Sequence, residues 1–183
     1  MIKVISFAPP LQALSRGYPV AVVLFLLLAT QAGCQQKEPE RAVRRETPDT
    51  FLAGETDRTF LAVNNERVRC GVPPLARDRG LDQVASQHAR DLAKMNTLSH
   101  TGQRGQGLEK RLEHLEWVWA AENLARNKGF EDSGAEAVRG WLASPRHAEN
   151  MLRTDFTTSG MAVLRDGESG FVYFVQVFIV PMS

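Results

Sequence analysis

The apolar run FVYFVQVFIV at residues 171–180 constrains the fold more than any other feature of the chain. Nine of its ten residues are hydrophobic, so neither face of a strand built from it would be polar. The run therefore predicts a strand in the centre of a sheet rather than one with a face in water. Residues 158–164 predict a second strand, joined to the first by a loop that contains Asp166 and Gly167, and residues 116–121 predict a third.

Helical periodicity is clearest after Asp78, which is the expected N-cap of a helix over residues 81–96. Its apolar stripe consists of Leu81, Val84, Ala85, His88, Ala89, Leu92 and Met95. Other helices are predicted at residues 59–70, 108–115 and 133–143, and from Pro145 onward with Ser144 as its N-cap. Helices with an antiparallel sheet indicate the α+β class. Two layers are the generic expectation, although the pattern leaves open whether helices cover one face of the sheet or both.

The first 33 residues have the organisation of a secretory signal peptide, with few charges and an aliphatic core at residues 20–29. This core is shorter than the roughly 20 residues that a membrane-spanning helix needs, although an uncleaved anchor is the alternative. The end of the segment resembles a bacterial lipobox, which would make Cys34 the lipidated first residue of the mature protein. Gln31 departs from that pattern, so ordinary cleavage after Ala32 is the other possibility.

These features predict an exported protein of the cell envelope, lipid-anchored to a membrane through Cys34. The anchor would lie in the outer membrane if the organism has one, and two acyl chains such as palmitate hold a protein firmly. Residues 34–56 predict a flexible linker, and residues 57–183 predict the folded domain. The formal net charge of +1 argues against a nucleic-acid partner, and two cysteines exclude a four-cysteine zinc site.

Three residues at predicted element ends are candidates for one solvent-accessible pocket: His100 in a glycine-rich loop, Glu122 at the end of a strand, and His147 in the first turn of a helix. Together they could supply three zinc ligands, although their spacing matches no metal-binding motif. The alternative is a His–Glu hydrogen bond that only fixes the loop. His88 lies on the apolar stripe with Asp91 one turn away, which favours a buried histidine satisfied by a neighbour.

Several separated motifs resemble a bacterial CAP (SCP) domain, named after cysteine-rich secretory proteins, antigen 5 and pathogenesis-related 1. They are the segments NNERVRCGVPPLARDRGLDQVASQHARDLAKMNTLSHTGQRGQG, ENLA, WLASPRHAENML, DFTTSGMAV and YFVQVF, in this order over residues 59–180. The resemblance implies a three-layer α-β-α sandwich with a small antiparallel sheet. It also implies a cleft with two histidines and two glutamates, which binds a divalent cation in some members.

The resemblance assigns His100 and Glu122 to the first His–Glu pair of that cleft. The second pair is missing, because Ser144 and Asp155 stand where a glutamate and a histidine are expected. Bacterial members instead share an S-P-x-H motif, which here contains His147. They also share an H-A-x-D pattern, which matches His88 and Asp91.

Two functions are compatible with these features. The first is a non-enzymatic binding module of the envelope, with a His/Glu-lined cleft for a small apolar ligand, a glycan or a protein. Its support is the absence of a recognisable catalytic motif such as HExxH or G-x-S-x-G. The alternative is a zinc-assisted or other divalent-metal-assisted hydrolase, in which Glu122 acts as general base and His100 and His147 as ligands.

Overall fold

A computed structural model describes residues 49–182. The predicted signal peptide, Cys34 and most of the predicted linker lie outside these residues. The elements in chain order are β1 (Thr50–Phe51), α1 (Ala53–Arg69), β2 (Ala76–Arg77), α2 (Arg79–Met95), α3 (Leu108–Arg111), β3 (Trp117–Asn127), α4 (Ser133–Ala143), α5 (Pro145–Leu152), β4 (Thr158–Arg165) and β5 (Val172–Pro181). None of the helices in this part of the chain is long and apolar enough to cross a bilayer.

The sheet has antiparallel strands in the order β1-β4-β5-β3, and the short strand β2 pairs in parallel with β4. Strand β5 lies between β4 and β3, so the prediction of a central strand from its apolar run is confirmed. Strand β3 stands at the end of this order and is therefore an outer strand of the sheet.

Helices cover both faces of the sheet. Alternate residues of β5, such as Tyr173 and Val175, pack in one hydrophobic cluster with α2. Their neighbours, such as Val172 and Phe174, pack in a second cluster with α1, α4 and α5. The three-layer sandwich implied by the family resemblance is confirmed, and the generic two-layer expectation is wrong, because a central strand that is apolar on both faces needs cover on both sides.

The contact between α2 and β4 depends on Gly160. A Cβ atom at this position would overlap the backbone of Leu81 and Asp82 at the start of α2. The Asp82 carboxylate also accepts a hydrogen bond of 2.8 Å from the backbone N–H of Met161. The side chain of Asp78 accepts one of 2.8 Å from Leu81, as expected of the N-cap. These contacts fix α2 against the sheet.

The folded domain begins before the predicted boundary at residue 57. The last residues of the predicted linker form β1 and the first turn of α1, which starts at Ala53 rather than at residue 59. Tertiary hydrogen bonds hold this segment: the Leu52 N–H donates to the Val163 carbonyl at 2.9 Å, and the Val163 N–H donates to Thr56 Oγ1 at 3.2 Å. A pattern-based prediction contains no information about such partners in β4.

Three other local predictions need correction. Strand β3 continues to Asn127, so Glu122 lies within the strand rather than at its end. Helix α3 is a single turn that ends at Arg111. Ser144 occupies the N-cap position of α5, but its side chain makes no capping hydrogen bond to that helix.

Candidate functional site

The carboxylate of Glu122 is the centre of the candidate site. Glu122 lies on β3 two residues before Leu124, which packs against α2, so both side chains are on that face of the sheet. The Glu122 side chain is only 1% exposed. Its Oε1 is 2.9 Å from Nδ1 of His100, which places these two predicted site residues in direct contact.

Arg111 at the end of α3 neutralises this buried charge. Its guanidinium donates hydrogen bonds of 2.6 Å to Oε2 and 3.1 Å to Oε1 of Glu122, and one of 3.1 Å to the backbone carbonyl of His100. Burial by itself would raise the pKa of Glu122, but the hydrogen bonds from His100 and Arg111 lower it below its ordinary value. Glu122 is therefore ionised, and it joins the loop of His100 to α3.

The sequence pattern does not identify Arg111 as a site residue. It lies in a charged stretch between Glu109 and Glu113 that resembles any solvated helix surface. The only signal available was the burial expected for a carboxylate in an apolar strand, which requires a partner without identifying it.

His88 is a buried histidine, as its position on the apolar stripe predicted. The side chain is 0% exposed, and burial lowers its pKa, so the ring is neutral near pH 7. Its Nε2 donates a hydrogen bond of 2.8 Å to the carbonyl of Ser99, and lies 3.6 Å from Oε1 of Glu122. His88 therefore fixes the backbone immediately before His100.

Asp91 binds the other end of the same loop. Its carboxylate accepts hydrogen bonds from the Gln103 backbone at 3.4 Å and from the Gln106 side chain at 3.4 Å. Gln87, one turn earlier on α2, donates at 3.3 Å. His88 and Asp91 thus bind different parts of the loop over residues 99–107. The prediction that Asp91 satisfies the buried His88 is wrong, because the partner of His88 is the Ser99 carbonyl.

His147 reaches this region from the opposite helical layer. Asn123, the neighbour of Glu122 on β3, donates a hydrogen bond of 2.9 Å to the backbone carbonyl of His147 and accepts one of 3.0 Å from Asn150. Burial lowers the pKa of the half-buried His147 ring, and the nearby charge of His100 lowers it further. The two imidazoles are therefore close enough for the charge of one to act on the other.

Two cavities of the described part of the chain lie beside elements of the candidate site. A depression of about 450 Å³ lies along α5 and the residues after it. A second pocket of about 250 Å³ lies between α2 and the loop over residues 99–107. Neither is lined by His100, Glu122 or His147, so a pocket shared by these three residues stays a prediction.

The donor set around Glu122 does not fit the divalent cation that the family resemblance implies. Within residues 49–182, no group of three or more His, Cys, Asp and Glu side chains is arranged to hold a metal ion. Both oxygens of Glu122 accept hydrogen bonds, and a cation there would have to displace the guanidinium of Arg111. The predicted ligand set of His100, Glu122 and His147 therefore lacks a usable carboxylate.

Comparison with known proteins places this geometry in a family. The model of the cysteine-rich secretory protein family, CAP, matches residues 60–178. The chain is 36% identical over 115 residues to the uncharacterized membrane protein YlbC of Bacillus subtilis, and 26% identical over 106 residues to the uncharacterized protein YkwD of the same organism. These matches cover 62% and 57% of this chain, but only 31% and 40% of those proteins.

Solved structures show the same fold. An outer surface protein of Borrelia burgdorferi superimposes with a TM-score of 0.64 at 23% identity, over 73% of this chain and 98% of that one. An extracellular protein containing an SCP domain from Bacillus anthracis superimposes with a TM-score of 0.59 at 30% identity, over 69% of this chain and 40% of that one. Since the family model spans well over half of the sequence and the fold agrees, the chain belongs to the cysteine-rich secretory protein (CAP) family.

Proposed function

We propose that this protein is an exported, non-enzymatic binding module of the bacterial cell envelope, and that its ligand contacts His100 and His147 beside β3. One observation carries the proposal: an exposed imidazole is held by a fully buried ion pair. The His100 side chain is 53% exposed, whereas Glu122 is 1% and Arg111 is 6% exposed. A rigid, buried support under an exposed polar group is the arrangement expected of a preorganised binding residue.

The chemistry of the two imidazoles narrows the ligand class. Nδ1 of His100 is engaged by Glu122, so Nε2 is the nitrogen left for a ligand. His147, whose backbone carbonyl is held by Asn123 of β3, provides a second imidazole. Because each ring nitrogen can donate or accept a hydrogen bond, the pair favours a ligand with polar groups, such as a glycan or a protein, over a purely apolar one.

The alternative function, metal-assisted hydrolysis, has no support in this geometry. A general base needs a free lone pair and a pKa near the working pH. Glu122 has both oxygens in hydrogen bonds and a lowered pKa, and its ion pair with Arg111 opposes a metal ion.

Export and lipid attachment remain part of the proposal. Export is supported by the signal-like residues 1–33 and by the similar proteins, which are named as a membrane protein, an outer surface protein and an extracellular protein. Lipid attachment is supported by the lipobox-like end of this segment at Cys34. Mass spectrometry of the mature protein tests them: we expect a start at Cys34 with the added mass of a diacyl lipid. A start at Gly33 without lipid would contradict the anchor.

Binding is tested with intact envelope fractions. Purified wild-type protein should co-sediment with cell-wall glycan or with membrane protein fractions of the source bacterium, and His100→Ala and His147→Ala should each weaken this binding about tenfold. His114→Ala is the matched control, since His114 is an exposed histidine in a separate segment. Unchanged binding by both site variants, with unchanged thermal unfolding, would refute the proposal.

A further inference from the structure

We infer that the polar pocket between α2 and the loop over residues 99–107 is a second binding site, which takes a small zwitterion of the α-amino acid class. The pocket has a volume of about 250 Å³ and only polar or charged lining residues: Gln87, Asp91, Lys94, Gln103, Arg104 and Gln106. Such a volume is just below the roughly 300 Å³ at which pockets for larger organic ligands begin, which suits a molecule of a few heavy atoms.

The buried carboxylate of Asp91 has no cationic partner among the described residues. This residue is 4% exposed, yet no ion pair joins its carboxylate to a cationic side chain within residues 49–182. Glu122, buried to the same extent, is paired with Arg111. Buried carboxylates are normally paired or bound to a cation, so the Asp91 site lacks a positively charged partner among these residues.

Hydrogen bonding at Asp91 and Gln106 is also incomplete. The three hydrogen bonds to Asp91 measure 3.3, 3.4 and 3.4 Å, which is long for an ionised acceptor, whose bonds are usually about 2.7–2.9 Å. Oε1 of Gln106 is buried without a hydrogen-bond partner in the described part of the chain. The oxygens of Asp91 and Gln106 can therefore accept further hydrogen bonds from a ligand. An ammonium group suits them because it donates three.

Two positively charged side chains line the pocket together with Asp91. Lys94 and Arg104 are both exposed and line the same pocket as Asp91. Lys94 and Arg104 would repel a bare metal cation. A neutral sugar would offer neither side chain an anionic group to pair with. A molecule with an ammonium group for Asp91 and a carboxylate for Arg104 and Lys94 satisfies all three charges, and an α-amino acid is the simplest such molecule.

The pocket is independent of the proposed ligand site at His100 and His147, although the same loop borders both. Asp91 and Gln106 hold one end of this loop, and His88 and Arg111 hold the other. Binding of a zwitterion can therefore be measured without any assumption about the envelope ligand.

The test is an NMR titration of the mature full chain with glycine, following the side-chain amide signals of the pocket glutamines. We expect saturable shifts with glycine. Binding should be at least about tenfold weaker for N-acetylglycine, which lacks the ammonium group, and for methylamine, which lacks the carboxylate. Glucosamine should resemble methylamine; tighter binding of glucosamine than of glycine would overturn the amino acid class in favour of an amino sugar.

Variants locate the site. Asp91→Asn should abolish the glycine shifts, and the exposed Arg104→Gln should weaken binding several-fold without lowering the unfolding temperature. His147→Ala is the control and should bind glycine normally, which separates this test from that of the proposed function. Absence of saturable shifts, equal binding of N-acetylglycine, or shifts produced by sodium or calcium chloride alone would overturn the inference. So would a large loss of stability in Lys94→Met, because Lys94 would then be the missing partner of Asp91.

Discussion

Replacing Glu122 by Gln should strongly destabilise the domain. The substitution keeps the volume of the side chain but removes its charge, so that Arg111 remains buried at 6% exposure without a counter-ion. His100 and its loop lose their ionised acceptor at the same time. The structure therefore predicts that Glu122→Gln lowers the stability of the domain, whether or not a ligand is bound.

The magnitude follows from the burial of the pair. Breaking a buried ion pair by removing one partner costs about 3–5 kcal/mol, and the remaining amide oxygen of Gln places this variant near the lower limit. A loss of about 3 kcal/mol lowers the unfolding temperature of a domain of this size by roughly 10 °C. The exposed pair of Lys110 and Glu113 offers a matched control: Glu113 is 56% exposed, so Glu113→Gln should cost less than about 1 kcal/mol.

Urea denaturation at pH 7 measures these differences. The double variant with Arg111→Met and Glu122→Gln should lose less stability than the sum of the two single variants, because it no longer leaves a buried charge unpaired. If Glu122→Gln lowers the free energy of unfolding by less than about 1 kcal/mol, the buried pair does not hold the site together. The claim that it supports His100 rigidly would then be wrong.

The same pair makes stability depend on pH. Because the pKa of Glu122 is lower in the folded protein than in the unfolded chain, its stabilisation is complete above the unfolded value of about 4.3 and is lost as the pH falls through the folded value. The difference between wild type and Glu122→Gln should therefore shrink below about pH 4. A constant difference down to about pH 2 would contradict this linkage.

Three further predictions concern the scaffold. Gly160→Ala should cost about 3 kcal/mol or more because its Cβ overlaps the backbone of α2, whereas Gly140→Ala, in open space on α4, should stabilise the domain by about 0.5–1 kcal/mol in the same urea assay. Arg67→Met should cost about 3 kcal/mol, since its buried guanidinium donates to four backbone carbonyls, while the exposed Arg69→Met should change stability by less than about 0.5 kcal/mol. Because burial lowers the pKa of His88, stability should fall as the pH drops below about 6.5, and His88→Asn should show a shallower decline between about pH 7 and 5 in thermal melts.

The hydrophobic pattern of the sequence was sufficient to predict those elements whose faces are buried along their whole length. The stripe on α2 gave a helix with its N-cap at Asp78, and the apolar run of β5 gave the central strand. The helix predicted at residues 133–143 matches α4 in both limits. In these segments periodicity and burial coincide, because every turn of each helix contacts the same layer and β5 is covered on both faces along its length.

Tertiary structure decided the parts where polar residues interrupt the pattern. The polarity of Glu122 and Asn123 predicted the end of a strand, but β3 continues to Asn127. Both side chains can be buried there because Glu122 binds Arg111 and Asn123 binds the backbone of His147 in the other helical layer. Arg111, eleven residues before Glu122, carries no local sign of its role. Periodicity reports which face of one element is buried, whereas the pairing of a buried charge depends on where two elements end relative to each other. The relative position of α3 and β3, which brings Arg111 to Glu122, is set only when the helices pack on the sheet.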